Sequence, residues 1–432
     1  MAALLFISFI VLLLIGVPVA FAIAAAALLV LLKGDVKLLI LVQRMFASTD
    51  SFSLIAVPFF IFAGDLLAKG KVSKVLVEFA ESLLGMLKGG LSIVSVLAGM
   101  FFAAISGSGA ATTEVSLAWL LTKVTSPVVG ATLIPELKKR GYREDSAAAL
   151  IAAAGTIGVV IPPSVPMVLY AVISEDSVNT LFKNGFIPGI LMGVILVAIS
   201  LYQARKFNYP KGKAFSVGNV LRTFKEAIWG ILMPLIILGG IFSGYFTPSE
   251  AAAVAVIYAI FVSFFIYRDL DFKGLVEIMK GSAKTSAVIM IIIACSGPFG
   301  WVLANYKIPE AIASGVLGIS TNKYVIMFLI SLIILLAGVF METSSAIIIL
   351  SPVFLPLVKA MGISTVHFGI LFVVGIAIGM ITPPVAINLF VASGITGLPI
   401  ERISKSVIPY LIGLIIVFFM IVYVPLLIPG LM

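Results

Sequence analysis

Two short polar strings interrupt otherwise apolar sequence and could do chemistry there: Ser106-Gly-Ser-Gly-Ala-Ala-Thr-Thr113 and Met341-Glu-Thr-Ser-Ser-Ala346. Small hydroxyl residues beside glycine let a turn sit at membrane depth with carbonyl oxygens and N–H groups exposed. Hydroxyl and carbonyl oxygens suit a hard cation such as Na⁺, and a helix N-terminus at such a tip suits an anion. One string alone would equally serve close helix packing. Two strings, each followed by a Pro-Pro pair, favour the chemical reading. The pairs lie in Gly155-Thr-Ile-Gly-Val-Val-Ile-Pro-Pro-Ser164 and Gly375-Ile-Ala-Ile-Gly-Met-Ile-Thr-Pro-Pro-Val-Ala-Ile-Asn388. Proline removes a backbone donor and disfavours helix at the residue before it. Pro162, Pro163, Pro383 and Pro384 should therefore break two helices and free carbonyls around 158–161 and 379–382. Paired Gly/Pro-interrupted segments in two halves of a chain point to a transporter's binding site.

Ionisable groups in apolar sequence are costly and so worth tracing. Asp65 falls near a helix end, where solvation is expected. Glu342 sits at a tip, either solvated in a cavity or against a cation, and Glu114 borders an insert. His367 is expected at the outer interface and Cys295 in helix packing. Trp119, Trp229 and Trp301, with Tyr202, Tyr209 and Tyr267, fit interfacial belts.

The elements that position these residues must cross a membrane. Of 432 residues 62% are hydrophobic and only 11% charged, and mean hydropathy is +1.25, which excludes a water-soluble fold. With 38 Gly and 21 Pro the helices cannot all be straight. A single cysteine excludes an internal disulfide, and a single histidine argues against a His cluster or triad. No Walker A, HExxH or GxSxG string occurs, which disfavours ATP-driven transport by this chain, and an intramembrane enzyme or a channel is a weaker reading than a carrier. Met1 to Leu32 lacks a positive leading region, so a retained helix is expected rather than a signal.

The chain also repeats itself. Pro135 to Ile173 matches Pro356 to Gly394 at a constant offset of 221, pairing Gly141 with Gly362, Gly158 with Gly379, and the two Pro-Pro pairs. Upstream the offset is near 235, so the first half carries about 14 extra residues, placed at Val115 to Val128. If each polar string is the tip of a re-entrant hairpin, segments 69–88, 138–143, 205–225, 268–284 and 401–405 share one side with 20 Lys and Arg. Segments 33–44, 173–186, 305–323 and 359 share the other with 7. The first side is then cytoplasmic, the two halves are inverted, and the net charge of +9 is topological rather than a surface for nucleic acid.

This reading is an all-α polytopic membrane protein. Spans are expected near 4–32, 50–68, 187–204, 226–246, 251–267, 285–304 and 407–429, with broken spans at 146–173 and 367–394. Hairpins are expected at 90–137 and 324–358, and interfacial helices at 73–87 and 269–284. By parts, 1–89 is an N-terminal scaffold with an interfacial arm, and 90–173 the first transport repeat. Residues 174–323 form scaffold helices with a polar linker at 205–225. Residues 324–394 form the second repeat, and 395–432 a C-terminal scaffold helix.

At these motifs the sequence resembles the large membrane subunit of tripartite ATP-independent periplasmic (TRAP) transporters. The matching strings are FFAAISGSGAATT (101–113), TLIPELKKRGY (132–142), GTIGVVIPPSVPMVLYAV (155–172), METSSAIIILSPVFLPL (341–357) and IGMITPPVAINLFV (378–391), with GVPVAFAIA (16–24) and VPFFIFAG (57–64). The insert at 115–128 departs from the pattern. The resemblance implies sodium-coupled, elevator-type import of an organic anion such as a C4-dicarboxylate or sugar acid into a bacterial or archaeal cell across the inner membrane. It also implies two partners, a small four-helix membrane subunit and a periplasmic substrate-binding protein, but no organic cofactor. By motif match one sodium site would use Ser106, Ser108, Gly155, Thr156 and Gly158, and a second Thr343, Ser344, Gly379 and Thr382. Ser108, Thr112, Ser164, Ser345 and Asn388 would bind substrate. A stand-alone divalent-anion/sodium symporter is the alternative.

Overall fold

The computed structural model describes residues 1–69, 71–106, 143–209, 214–319, 322–384 and 386–427. Among them the chain is helical throughout. In order the helices are α1 (Ala2–Leu14), α2 (Val19–Lys33), α3 (Leu39–Thr49), α4 (Ala56–Lys69), α5 (Lys71–Leu84) and α6 (Gly90–Ser106). The first broken helix follows as α7 (Glu144–Gly155) and α8 (Val165–Ser174). After it come α9 (Val178–Lys206), α10 (Val217–Phe242), α11 (Pro248–Phe261), α12 (Phe272–Asn305) and α13 (Ile308–Ile319). The second half closes with α14 (Lys323–Phe340), α15 (Thr343–Ala360), the second broken helix as α16 (Thr365–Gly379) and α17 (Ile387–Thr396), and α18 (Ile400–Leu427). Among the described residues seven helices are individually long and apolar enough to cross a bilayer, and α3 with α4, bent by 64°, would make an eighth span.

Local chemistry explains where these helices start. Ser177, Ser216, Asp271, Asn322 and Ser364 each cap one through the side chain, and Thr247 and Glu250 form a reciprocal capping box on α11. The expected single span 4–32 is two helices packed on each other. Gly16 ends the first at φ 86°, and the Val17 N–H closes onto the Leu12 carbonyl before Pro18. The stretch 269–284 is no separate interfacial helix, because α12 runs unbroken for 34 residues, about 51 Å. The linker 205–225 is shorter than expected: α9 reaches Lys206, and Ser216 starts α10. Helices α3 and α13 occupy stretches read as outer loops.

The two broken helices form the centre. Helix α7, ahead of the first break, packs on α17, beyond the second; α8, beyond the first, packs on α16, ahead of the second. Parallel broken helices would pair the leading halves with each other, so this reciprocal pairing runs them antiparallel. Asn388 of α17 donates to the Ala152 carbonyl of α7 at 3.2 Å, and Tyr170 of α8 donates to the Thr365 carbonyl at 2.7 Å. Gly369 lets the Tyr170 ring lie flat on α16, where a Cβ would fall 2.3 Å from it.

The basic segments meet at one end. The Lys71 N–H donates to Asp269, Tyr267 to the Glu226 carbonyl, and Thr223 to Ser82. Arg143 lies over the Phe207 ring at 4.8 Å, and Ser406 donates to Asp145. Contacts at the other end include Thr365 with Asp176 and Tyr306 against Gly34. The described parts of these basic segments are thus linked to one another.

Candidate functional site

The first break is an unwound stretch lodged inside protein, whereas the second is only partly buried, with Pro384 exposed. In the first, a 3-10 turn Thr156–Val159 leads into buried Val160, Ile161, Pro162 and Pro163. Ser164, fully buried, donates to the Val159 carbonyl at 2.5 Å and accepts from the Met167 N–H at 3.3 Å. Its hydroxyl is therefore spent on ending one helix half and starting the next, which leaves it poorly placed to bind substrate. Thr156 donates to the Ala153 carbonyl at 2.7 Å, and Thr382, in the second break, to the Ile378 carbonyl at 2.9 Å. A hydroxyl whose proton is committed in this way still has lone pairs for a cation.

The tip at 341–345 reaches the second break. Thr343 is fully buried, with its hydroxyl 3.2 Å from the Met380 sulfur. Behind it α14 crosses α16 at Gly338 and Gly379 with no room for side chains: a Cβ on Gly379 would lie 2.4 Å from the Gly338 backbone. The Gly379 carbonyl also accepts from the Thr382 N–H at 2.9 Å. Both arms, α14 and α15, meet at this turn and both pack on α16, with α15 also on α8, α12 and α13.

Glu342 is exposed at the tip, in keeping with solvation there, but it does not stand apart. Its carboxylate caps α15, accepting the Ser344 and Ser345 N–H groups at 2.9 and 3.2 Å and the Ser344 hydroxyl at 3.1 Å. The anion that the helix N-terminus attracts is thus already supplied by the chain. Asn388 is fully buried, and its carbonyl oxygen Oδ1 has no partner among the described residues. Ser108, Thr112, Glu114, Trp119 and the insert at 115–128 lie outside the described residues. Of Ser106 only its place as the last residue of α6 is described.

Other expectations shift. His367 is buried rather than interfacial, its Nε2 2.9 Å from the Ile421 carbonyl. Asp65 is tied to Ser282 of α12 at 2.5 Å rather than simply solvated. Tyr209 is buried and stacked on Phe207, not in a belt, whereas Tyr202 is exposed. Cys295 is buried in packing as expected. Among the described residues no group of three or more His, Cys, Asp and Glu could hold a metal ion.

Sequence reasoning passed over two supports of the site. Gly185, Gly189 and Gly193 line one stripe of α9. A Cβ on the first two would strike Met167 and Ile161 at the first break, and one on Gly193 would strike Met100 of α6. The GxxxGxxxG spacing was visible in the sequence and marks close helix approach. The second support is a polar clamp at the basic face. Gln203 of α9 accepts from Ser146 at 2.6 Å and from Tyr410 of α18 at 3.0 Å. Asp145 accepts from Arg143 at 2.8 Å and Ser406 at 2.7 Å. Burial pushes the Asp145 carboxyl up, but hydrogen bonds from Arg143 and Ser406 and the charges of Arg143 and Arg402 outweigh it and hold it at about 2.

Two broken helices packed antiparallel in a polytopic helical chain have the architecture of a multi-pass membrane transporter. The likeness to the Alcanivorax borkumensis YdaH transporter is one of fold: TM-score 0.61 at 16% identity, covering 89% of this chain and 87% of that one. The chain belongs to the family described as the tripartite ATP-independent periplasmic transporter, DctM component, which matches residues 6–427. The C4-dicarboxylate TRAP transporter large permease protein DctM of Pseudomonas aeruginosa is 38% identical over 401 residues, 93% of this chain and 91% of that protein. The isethionate TRAP transporter permease protein DctMQ of Oleidesulfovibrio alaskensis is 39% identical over 418 residues, which are 96% of this chain but 63% of that protein's length.

Proposed function

We propose that this permease imports a small organic anion across the cytoplasmic membrane, driven by Na⁺. In this reading a periplasmic binding protein delivers the anion and a small membrane subunit braces the permease. The observation that carries the proposal is the pair of oxygen-rich breaks, the first buried and the second partly so, in helices joined by Asn388 and Ala152, with Thr343 brought against the second. Thr156 at the first and Thr382 at the second would present hydroxyl lone pairs to Na⁺, with carbonyls near Gly155, Gly158 and Gly379. Ser106 and Ser108, and Thr343 and Ser344, would complete the two sites from the hairpin tips.

Substrate would lie between the tips, near Thr112, Ser345 and the free Oδ1 side of Asn388. The relatives named above carry a sulfonate and C4-dicarboxylates in their descriptions, and the shared chemistry is a compact anion with an oxygen-rich head. Because α17 is bonded to α7 and α8 to the start of α16, the two broken helices would move as one body, as an elevator requires. The basic face, with segments 138–143, 205–225 and 268–284, would be cytoplasmic.

The test is uptake in vesicles holding the permease and its small subunit, with the binding protein charged with its own ligand outside. An inward Na⁺ gradient should drive accumulation. Uptake of the same size with K⁺ or choline in place of Na⁺ refutes the coupling. Full uptake without the binding protein would favour the stand-alone symporter.

A further inference from the structure

Three helices begin around the two breaks, and the chain itself closes two of these starts. Ser164 caps α8, and the Glu342 carboxylate caps α15. The start of α17 differs: no side chain caps it, and its first turn holds no acidic residue. The positive end of its dipole is thus left without a counter-charge, which favours an anion there and disfavours a bare cation. It also adjoins the more open of the two breaks, where Thr382 and Pro383 are half-buried and Pro384 is exposed.

Asn388 is the second residue of α17, and side chains in a helix lean back toward its N-terminus. Its backbone N–H donates to the Met380 carbonyl at 3.1 Å, and the Met380 sulfur meets the Thr343 hydroxyl of the hairpin tip. The side chain is fully buried. Its Nδ2 donates to the Ala152 carbonyl, which fixes the orientation of the amide: flipped, it would set Oδ1 against another carbonyl oxygen. Oδ1 is left as a buried acceptor with no partner among the described residues. Such an acceptor is costly to leave unpaired, and a carboxylate or sulfonate oxygen set against it would be repelled. What Oδ1 can take is a donor. A hydroxyl supplies one without adding positive charge beside the helix start, as an ammonium or alkali ion would.

We infer that Asn388 selects organic anions that carry a hydroxyl close to the charged head. The head lies at the open start of α17, and the hydroxyl donates to Oδ1. This rests on the reading of the site between the tips as one for an organic anion, and narrows the class of anion it takes. An anion of the same skeleton without the hydroxyl leaves Oδ1 unpaired, and a site built to hydrogen-bond a substrate hydroxyl discriminates against the analogue that lacks it. Ser164 and Glu342 take no part in this choice, because their polar atoms are spent on their own helices.

Binding of matched anion pairs to the purified full chain in NaCl tests the inference, with Kd taken from the rise in Tm with ligand concentration. The pairs are lactate with propionate, malate with succinate, and 2-hydroxyethanesulfonate with ethanesulfonate. In every pair that binds, the hydroxylated member should bind about tenfold tighter, the factor equal to about 1.4 kcal/mol. Asn388→Leu should bring that ratio toward one, whereas a merely structural loss weakens both members alike and leaves the ratio in place. Equal affinities within the pairs for the wild-type chain overturn the inference without any variant. A ratio that survives in monodisperse, helical Asn388→Leu protein overturns it as well. If Asn388→Leu changes the affinity for Na⁺ and leaves the ratio alone, Oδ1 serves the cation and the inference falls. A wild-type chain that responds to neither member of any pair refutes the organic-anion site itself, and the choice of anion with it.

Discussion

The crossing of α14 and α16 at Gly338 and Gly379 gives a sharp test of how the second break is held. In Gly379→Ala the new Cβ would lie 2.4 Å from both the Cα and the carbonyl carbon of Gly338. Carbon atoms rest at about 3.5 Å or more, so the helices must part by about 1 Å. Backbone cannot swing away as a side chain can. Overpacking of this kind costs about 1–3 kcal/mol, and here it also shifts Thr343 relative to Met380. Gly338→Ala should be milder, since its Cβ would meet the Ile376 carbonyl oxygen at 2.7 Å and the Gly379 Cα at 2.9 Å. Gly300→Ala and Gly394→Ala have nothing within 4 Å and serve as controls. The assay is apparent Tm of the purified permease alongside Na⁺-driven uptake. Gly379→Ala should melt at least about 2 °C lower, taking about 2–4 °C per kcal/mol for domains of 150–250 residues, and lose most uptake. The controls should match the parent or exceed it slightly through better helix propensity. A Gly379→Ala protein with parental Tm and uptake would refute the backbone crossing.

Further outcomes follow from other parts of the site. Na⁺ but not K⁺ should raise Tm in a concentration-dependent way, by up to about 2.7 kcal/mol of stability at a hundred times Kd, and Thr382→Val should blunt the effect. Ser164→Ala removes the cap of α8 and should cost about 1 kcal/mol in thermal unfolding, with substrate affinity unchanged because the hydroxyl is spent internally. Asp145 should make stability acid-sensitive. Its folded carboxyl sits below the ordinary value, so the stabilisation is present above pH ~4 and fades as pH falls toward about 2. The upper bound is about 2.5 kcal/mol, reduced to about 1 because Arg143 is half exposed. Asp145→Asn should flatten that pH dependence in a melting series.

Much was legible without coordinates. Hydropathy dictates a polytopic helical protein, because apolar surface on this scale has nowhere to go but lipid. The Pro-Pro pairs mark both breaks, since proline's missing donor acts locally whatever surrounds it. The 20-to-7 asymmetry of Lys and Arg sorts the loops into two sets, and contacts such as Thr223 with Ser82 and Ser406 with Asp145 bring described parts of the basic set together. Local patterns are readable because their causes lie within a few residues.

Partners distant in the chain are another matter, and only tertiary structure decided them. That Asn388 reaches Ala152, 236 residues away, or that Gly338 touches Gly379, follows from how helices cross rather than from any spacing. Whether a polar group is free is decided in the same way. Ser164 reads as a ligand until its hydroxyl is seen closing its own helix, and Glu342 reads as a lone charge until it is seen capping α15. Residue type determines what chemistry is available at these positions; packing determines which of it is already spent, because in a low-dielectric interior each polar atom must find a partner wherever the fold supplies one.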